Sequence, residues 1–276
     1  MNEYASETTT QPAWALVTGA SSGIGAEFCR QLAAKGYSIV LVARREEKLQ
    51  AMAKQLQDSF DAKSFVIAAD LFDPNAATGI VNKLAEANIE IDYLVNNAGY
   101  GLPGSFHVPE WKEHADFIQI MMTVVCELTW RLLPGMRERG RGYIVNIASV
   151  AGLITPSAGH TLYGASKSFL VRFSESLALE NVDSGVKVSA LCPGFTYTEF
   201  HDVNGTREMI SKMPSFLWLS AERVVKESIE AMEAEKVKPV VVPGFQYKTM
   251  IFLDRQIPWL ARMINRRLSK KFRVTE

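Results

Sequence analysis

The chain has 276 residues, of which 47% are hydrophobic and 22% charged, and 30 Lys and Arg balance 30 Asp and Glu to a formal net charge of zero. That length fits one large α/β domain, and the even charge excludes the strongly basic domain of a nucleic-acid binder. Cys29, Cys126 and Cys192 are far apart and His107, His114, His160 and His201 are scattered. Neither a disulfide framework nor a metal site is expected, and a reducing, cytoplasmic setting fits best.

Residues 1–12 are polar, lack the apolar core of a signal peptide and read as a disordered leader. No run approaches the ~20 apolar residues of a spanning helix. From Trp14 onward, short apolar runs alternate with longer amphipathic ones. Strands are expected at 14–18, 38–42, 64–69, 91–96, 142–148, 187–192 and 239–242. Helices are expected at 25–36, 46–60, 76–88, 111–140, 163–183 and 220–235. Strictly alternating strands and helices require parallel pairing through crossover helices. Runs such as Ile39-Val40-Leu41-Val42 suit strands covered on both faces. The expected fold is a Rossmann-like, doubly wound α/β sheet of about seven strands, a single domain over 13–245.

Thr18-Gly19-Ala20-Ser21-Ser22-Gly23-Ile24-Gly25 follows the first strand and opens the first helix. Glycines there permit a tight turn, close approach of a pyrophosphate and close helix–strand contact. The helix N-terminus adds unpaired N–H groups for the anion. At the end of the second strand, where an NAD site carries a carboxylate for the ribose 2′-hydroxyl, this chain has Ala43-Arg44-Arg45. Arg44, helped by Ser21 and Arg45, suits a 2′-phosphate, so NADP(H) is the expected cofactor.

Tyr163 and Lys167 are four apart on an expected helix and share a face. An ammonium beside a phenol favours phenolate and draws a pKa of about 10 toward neutrality. Ser149 ends the strand before them, where its hydroxyl can hydrogen-bond a substrate oxygen.

These motifs, with Asn96-Asn97-Ala98-Gly99 and Pro193-Gly194 in the same order, resemble the short-chain dehydrogenase/reductase family over about 14–198. The resemblance implies that Tyr163 is the acid/base, that Lys167 lowers its pKa and holds the nicotinamide ribose, and that Ser149 positions the substrate oxygen. It also implies cofactor contacts from Gly19, Ser21, Ser22, Gly23, Ile24, Gly25, Arg44 and Arg45. Asp70 and Leu71 would meet the adenine, Asn97, Ala98 and Gly99 the adenosine side, and Pro193, Gly194, Thr196 and Thr198 the carboxamide and pyrophosphate. The activity it implies is hydride transfer between NADP(H) and a ketone or secondary alcohol, in a homodimer or homotetramer. Two departures stand out. Met121 occupies the place of an Asn that holds a proton-relay water in the family, and a thioether cannot donate. Ser149 and Tyr163 lie 14 positions apart, one more than the pattern, with the surplus expected in the loop 153–161 and Ser149 preferred to Ser157.

Residues 195–219, with Phe200, Met209, Met213, Phe216, Leu217 and Trp218, are expected to form an apolar substrate lid, hence an apolar substrate: an acyl chain, a steroid-like ring or an aromatic ketone. Residues 246–276 are basic and amphipathic, and 248–273 suit peripheral contact with an anionic membrane or a partner subunit. The alternative reading is an NADP(H)-binding scaffold or redox sensor with vestigial chemistry, which Met121 motivates.

Overall fold

The computed structural model describes residues 13–102, 104–198, 214–263 and 265. The expected leader, Phe200, Met209 and Met213 of the lid, and the tail beyond residue 265 lie outside the described residues.

Six strands alternate with helices: β1 (Trp14–Thr18), α1 (Gly23–Ala34), β2 (Ser38–Ala43), α2 (Glu46–Phe60), β3 (Ser64–Ala68), α3 (Ala76–Glu86), β4 (Ile91–Asn96), α4 (Trp111–Ile118), α5 (Val124–Glu138), β5 (Gly142–Ile147), α6 (Thr161–Glu180) and β6 (Val186–Leu191). A short parallel pair, β7 (Thr196–Tyr197) and β8 (Leu219–Ser220), precedes α7 (Ala221–Glu233), β9 (Val240–Val241) and α8 (Phe245–Gln256). The main sheet has seven parallel strands in the order β3-β2-β1-β4-β5-β6-β9. The doubly wound α/β architecture and its strand count therefore stand as expected from the sequence.

The pleat explains the two layers. Successive strand side chains point to opposite faces, so Leu16, Val40, Leu94 and Ile144 pack with α3, α5 and α6. Their neighbours Ala15, Val17, Val95 and Val145 pack with α1, α2 and α7 on the other face. Both faces are covered, which is why β2 reads as an unbroken apolar run.

The expected helix 111–140 differs in one respect. A π turn at Gln119–Thr123 separates α4 from α5. By length and composition the whole run Trp111–Glu138 meets the measure of a membrane-crossing helix, contrary to the reading that no segment does. It serves here as the crossover between β4 and β5, burying Phe117, Val124, Leu128 and Met136.

A buried polar chain ties this crossover to the sheet. Asn96 Nδ2 donates to Asn146 Oδ1 at 2.8 Å and Thr129 Oγ1 at 3.2 Å, and Asn146 Nδ2 donates to Ser174 Oγ at 2.9 Å. Amides on adjacent strands thus reach a hydroxyl on α5 and another on α6. Since β1 leads to β2 on one side and lies beside β4 on the other, the order of winding reverses between β1 and β4. That reversal opens a crevice at the carboxyl ends of the strands.

Candidate active site

The crevice is closed at its floor by Thr18, the last residue of β1. Its Oγ1 accepts from Asn97 N at 2.9 Å and Ala98 N at 3.0 Å and donates to Val95 O. Asn97 Nδ2 in turn donates to Thr18 O at 2.8 Å. The Asn97 side chain is thus engaged in joining β1 to β4, while the backbone of Asn97 to Gly99 lines the opening.

The glycine turn has the conformation its residues foretell. Gly19 and Gly23 take φ of 67° and 57°, a region that L side chains disfavour. A Cβ on Gly19 would come within 2.7 Å of Asn97 Nδ2, and one on Gly25 would overlap the Gly19 carbonyl. Gly23 faces Thr198, so the first turn and the loop after β6 meet across the crevice. Ser22 caps α1 without a side-chain hydrogen bond, and the first turn holds no acidic residue. The start of α1 therefore presents N–H groups and a positive dipole end with no side-chain anion to satisfy them.

These features fit a nicotinamide dinucleotide. Pyrophosphate would sit at the start of α1 against Gly19 to Gly25. Arg44, exposed at the end of β2, lies over the Phe72 ring at 5.5 Å, and Arg45 donates to Ser21 Oγ at 3.2 Å. Two guanidinium groups and a hydroxyl thus stand together at the end of β2. Asp70 is exposed and accepts from Phe72 N at 3.1 Å, beside buried Leu71. On the far side, Thr196 is buried and its hydroxyl donates to Gly194 O at 3.0 Å.

Ser149, Tyr163 and Lys167 converge from β5 and α6. Ser149 Oγ accepts from Ala151 N at 3.1 Å, which leaves its O–H to donate to the Tyr163 oxygen. Lys167 is 6% exposed, and its Nζ donates to Ile147 O at 2.7 Å and stands 5.6 Å from the centre of the Tyr163 ring. Burial brings the Lys167 pKa down from 10.5 to about 8. Burial pushes the Tyr163 phenol above its usual value, opposed by the Ser149 hydrogen bond. The shift runs opposite to the one expected from Lys167: burial is its largest cause, and the ammonium donates to the Ile147 carbonyl of β5.

Between Ser149 and Tyr163 the chain runs through a turn and a loop. A 3₁₀ turn at Val150–Gly152 is followed by the loop 153–160, and Ser157 is exposed on that loop. Gly152, not singled out from the sequence, lets this turn lie directly on α6, since a Cβ there would be 2.6 Å from the Lys167 backbone carbon. Met121 lies in the π turn, 1% exposed, with its sulfur 2.8 Å from where a Cβ on Gly99 would be. Its thioether fills the space above Gly99. Two residues of α8 were likewise not legible as site residues: the Tyr247 ring occupies the place a Gly194 Cβ would take, and Asp254 binds Thr155.

A glycine turn on a helix start and a Ser–Tyr–Lys cluster, both at the carboxyl edge of a doubly wound sheet, define a nicotinamide-dependent oxidoreductase class. The sequence profile of the short chain dehydrogenase family matches residues 13–208, and the chain belongs to that family. It is 36% identical over 196 residues to a very-long-chain 3-oxoacyl-CoA reductase from Anas platyrhynchos, covering 70% of this chain and 62% of that protein. The chain thus spans about three-fifths of the length of the curated relative. Among solved structures it is similar to a short-chain dehydrogenase from Sphingobium yanoikuyae in complex with NADPH, with 29% identity, a TM-score of 0.78 and coverage of 89% and 94%. It is also similar to a bulky-bulky ketone specific alcohol dehydrogenase from Comamonas testosteroni, with 28% identity, a TM-score of 0.74 and coverage of 90% and 93%.

The packing of Met121 yields a test of the relay. Met121→Asn is expected to lower the unfolding free energy by about 1–3 kcal/mol, because an amide replaces a thioether in a dry, filled space. Urea unfolding measures it. Unchanged or increased stability would show polar partners at that place and restore the water-relay reading.

Proposed function

We propose that the chain is an NADP(H)-dependent oxidoreductase that interconverts a ketone and a secondary alcohol on an apolar substrate. The observation that carries this reading is the convergence of Ser149, Tyr163 and Lys167 beside the glycine turn. NADPH, when bound, supplies the hydride. Ser149 hydrogen-bonds the carbonyl oxygen of the substrate, Tyr163 donates the proton that neutralises the alkoxide, and Lys167 holds the nicotinamide ribose. A phenol kept protonated by burial suits the reductive direction at neutral pH. The names of the acyl-CoA and ketone-specific relatives support an apolar carbonyl compound, and Phe195, Tyr197 and Trp218, stacked together beside β7 and β8, support an apolar wall for it.

We further propose a homo-oligomer and peripheral membrane contact, in a cytoplasmic setting. The first is supported by an open apolar cavity of about 490 Å³ on the outer side of α4, α5 and α6, lined by Ile118, Met122, Cys126, Trp130 and Phe169. The second is supported by the exposed residues of α8 and of the helical segment 258–263 after it. Phe245, Lys248, Phe252, Arg255, Trp259 and Arg262 recur at three- and four-residue steps and are all exposed.

Tyr163→Phe is expected to lower turnover of NADPH with a ketone by at least about 100-fold while NADPH binding persists. In the intact enzyme kcat/KM for reduction should be level through neutrality and fall as pH rises through about 8, where Lys167 loses its proton. Retention of near wild-type rate by the phenylalanine variant would remove Tyr163 as the acid. Tight NADPH binding with no turnover across a ketone panel would leave the scaffold reading.

Arg44→Ala should weaken NADPH by about 1.5–3 kcal/mol, the worth of a charged hydrogen bond, and leave NADH nearly unchanged. Titration of both nucleotides measures it, and equal losses for the two would refute a 2′-phosphate contact.

Flotation with phosphatidylglycerol vesicles should carry the chain upward, and Phe252→Glu with Trp259→Glu should abolish it. Sedimentation velocity on the same samples separates vesicle binding from self-association. A chain that stays at the bottom with anionic vesicles has no such membrane contact.

A further inference from the structure

Helix α8 follows the last strand of the sheet and carries none of the family's motifs, yet its inner face touches three segments of the site. Tyr247 and Ile251 are its buried residues. The Tyr247 ring lies against Gly194, where no side chain fits. Its hydroxyl accepts from Phe195 N at 2.8 Å and donates to the Leu217 carbonyl. Nearly two turns further on, Asp254 Oδ2 accepts from Thr155 N at 2.9 Å and from Thr155 Oγ1 at 3.1 Å. Asn265, beyond the helix, donates to Thr155 O at 2.9 Å. Both backbone groups and the hydroxyl of Thr155 are therefore held by the end of the chain.

Thr155 belongs to the loop between Ser149 and Tyr163. Phe195 belongs to the segment after β6 proposed to meet the nicotinamide end of the cofactor. A loop that makes few bonds of its own takes its shape from whatever fixes its backbone groups. Here the two loops are fixed by different residues of one rigid helix, about seven positions and 10.5 Å apart along its axis.

We propose that Tyr247 and Asp254 are positioning residues on a shared strut, Tyr247 setting the 193–196 segment for the cofactor and Asp254 setting the 153–160 loop for the carbonyl substrate. The two act on separate steps because each holds a separate loop. This rests on the NADP(H)-dependent reductase reading of the same site.

The test uses the full-length protein with NADPH and a ketone that the wild type turns over, and hydrogen exchange of the free protein. Tyr247→Phe keeps the ring over Gly194 and removes only the hydroxyl. It should raise the NADPH dissociation constant by about five-fold, the worth of one hydrogen bond, and leave the ketone KM within two-fold. Amide exchange should quicken in 193–198 and stay unchanged in 153–160. Asp254→Ala should do the converse: a ketone KM raised about five-fold or more, NADPH binding unchanged, and faster exchange in 153–160. Asp254→Asn, which keeps an acceptor for Thr155 N, should recover most of the loss. Two results overturn the proposal: both variants raising the same parameter, or either lowering kcat alone with both affinities intact, as less folded protein would. A wild type without turnover would refute the reductase reading, and the exchange and NADPH-binding results would still decide the strut.

Discussion

Lys167 carries its ammonium into a nearly dry position on α6, against the last carbonyl of β5. An ion so placed needs a strong acceptor at short range, and the Ile147 carbonyl supplies it. That demand draws α6 down onto the carboxyl end of β5, which Gly152 permits by lacking a side chain. Tyr163, one helical turn earlier, is then set beside Ser149 at the end of the same strand. The same burial lowers the Lys167 pKa to about 8, within reach of physiological titration.

The sheet provides the other half of the constraint. Parallel strands place all their carboxyl ends on one edge, so residues far apart in sequence gather there. Thr18 and Asn97 seal the point where the winding reverses, and the buried Asn96–Asn146–Ser174 chain keeps β4, β5 and α6 in register behind it. The Ser149–Tyr163–Lys167 cluster and the glycine turn are consequently two parts of one edge. Met121 packs into that edge, filling the space that Gly99 leaves open.

Much of the site was readable because it is local. The glycine turn is one loop whose torsion angles are constrained by its own residues, and Tyr163 and Lys167 meet through helical spacing alone. Arg44 and the apolar run of β2 are likewise statements about a few adjacent positions. The break in the long helix was not readable: nothing in the composition of 119–123 marks a π turn. The direction of the Tyr163 shift also escaped, because the charge of Lys167 is visible in sequence while the depth of burial is not.

By itself, the sequence determined the doubly wound class, the seven strands, the glycine turn and the residues of the Ser–Tyr–Lys cluster, since periodicity and short spacings encode all of these. Tertiary structure alone decided what Asn97, Met121 and Gly152 do and which partner holds Thr155. Asp254 lies 99 positions from Thr155 and Tyr247 lies 52 from Phe195. Contacts across such separations leave no periodic trace in the chain. They exist only because the strand order brings the end of α8 to the same edge as β5 and β6.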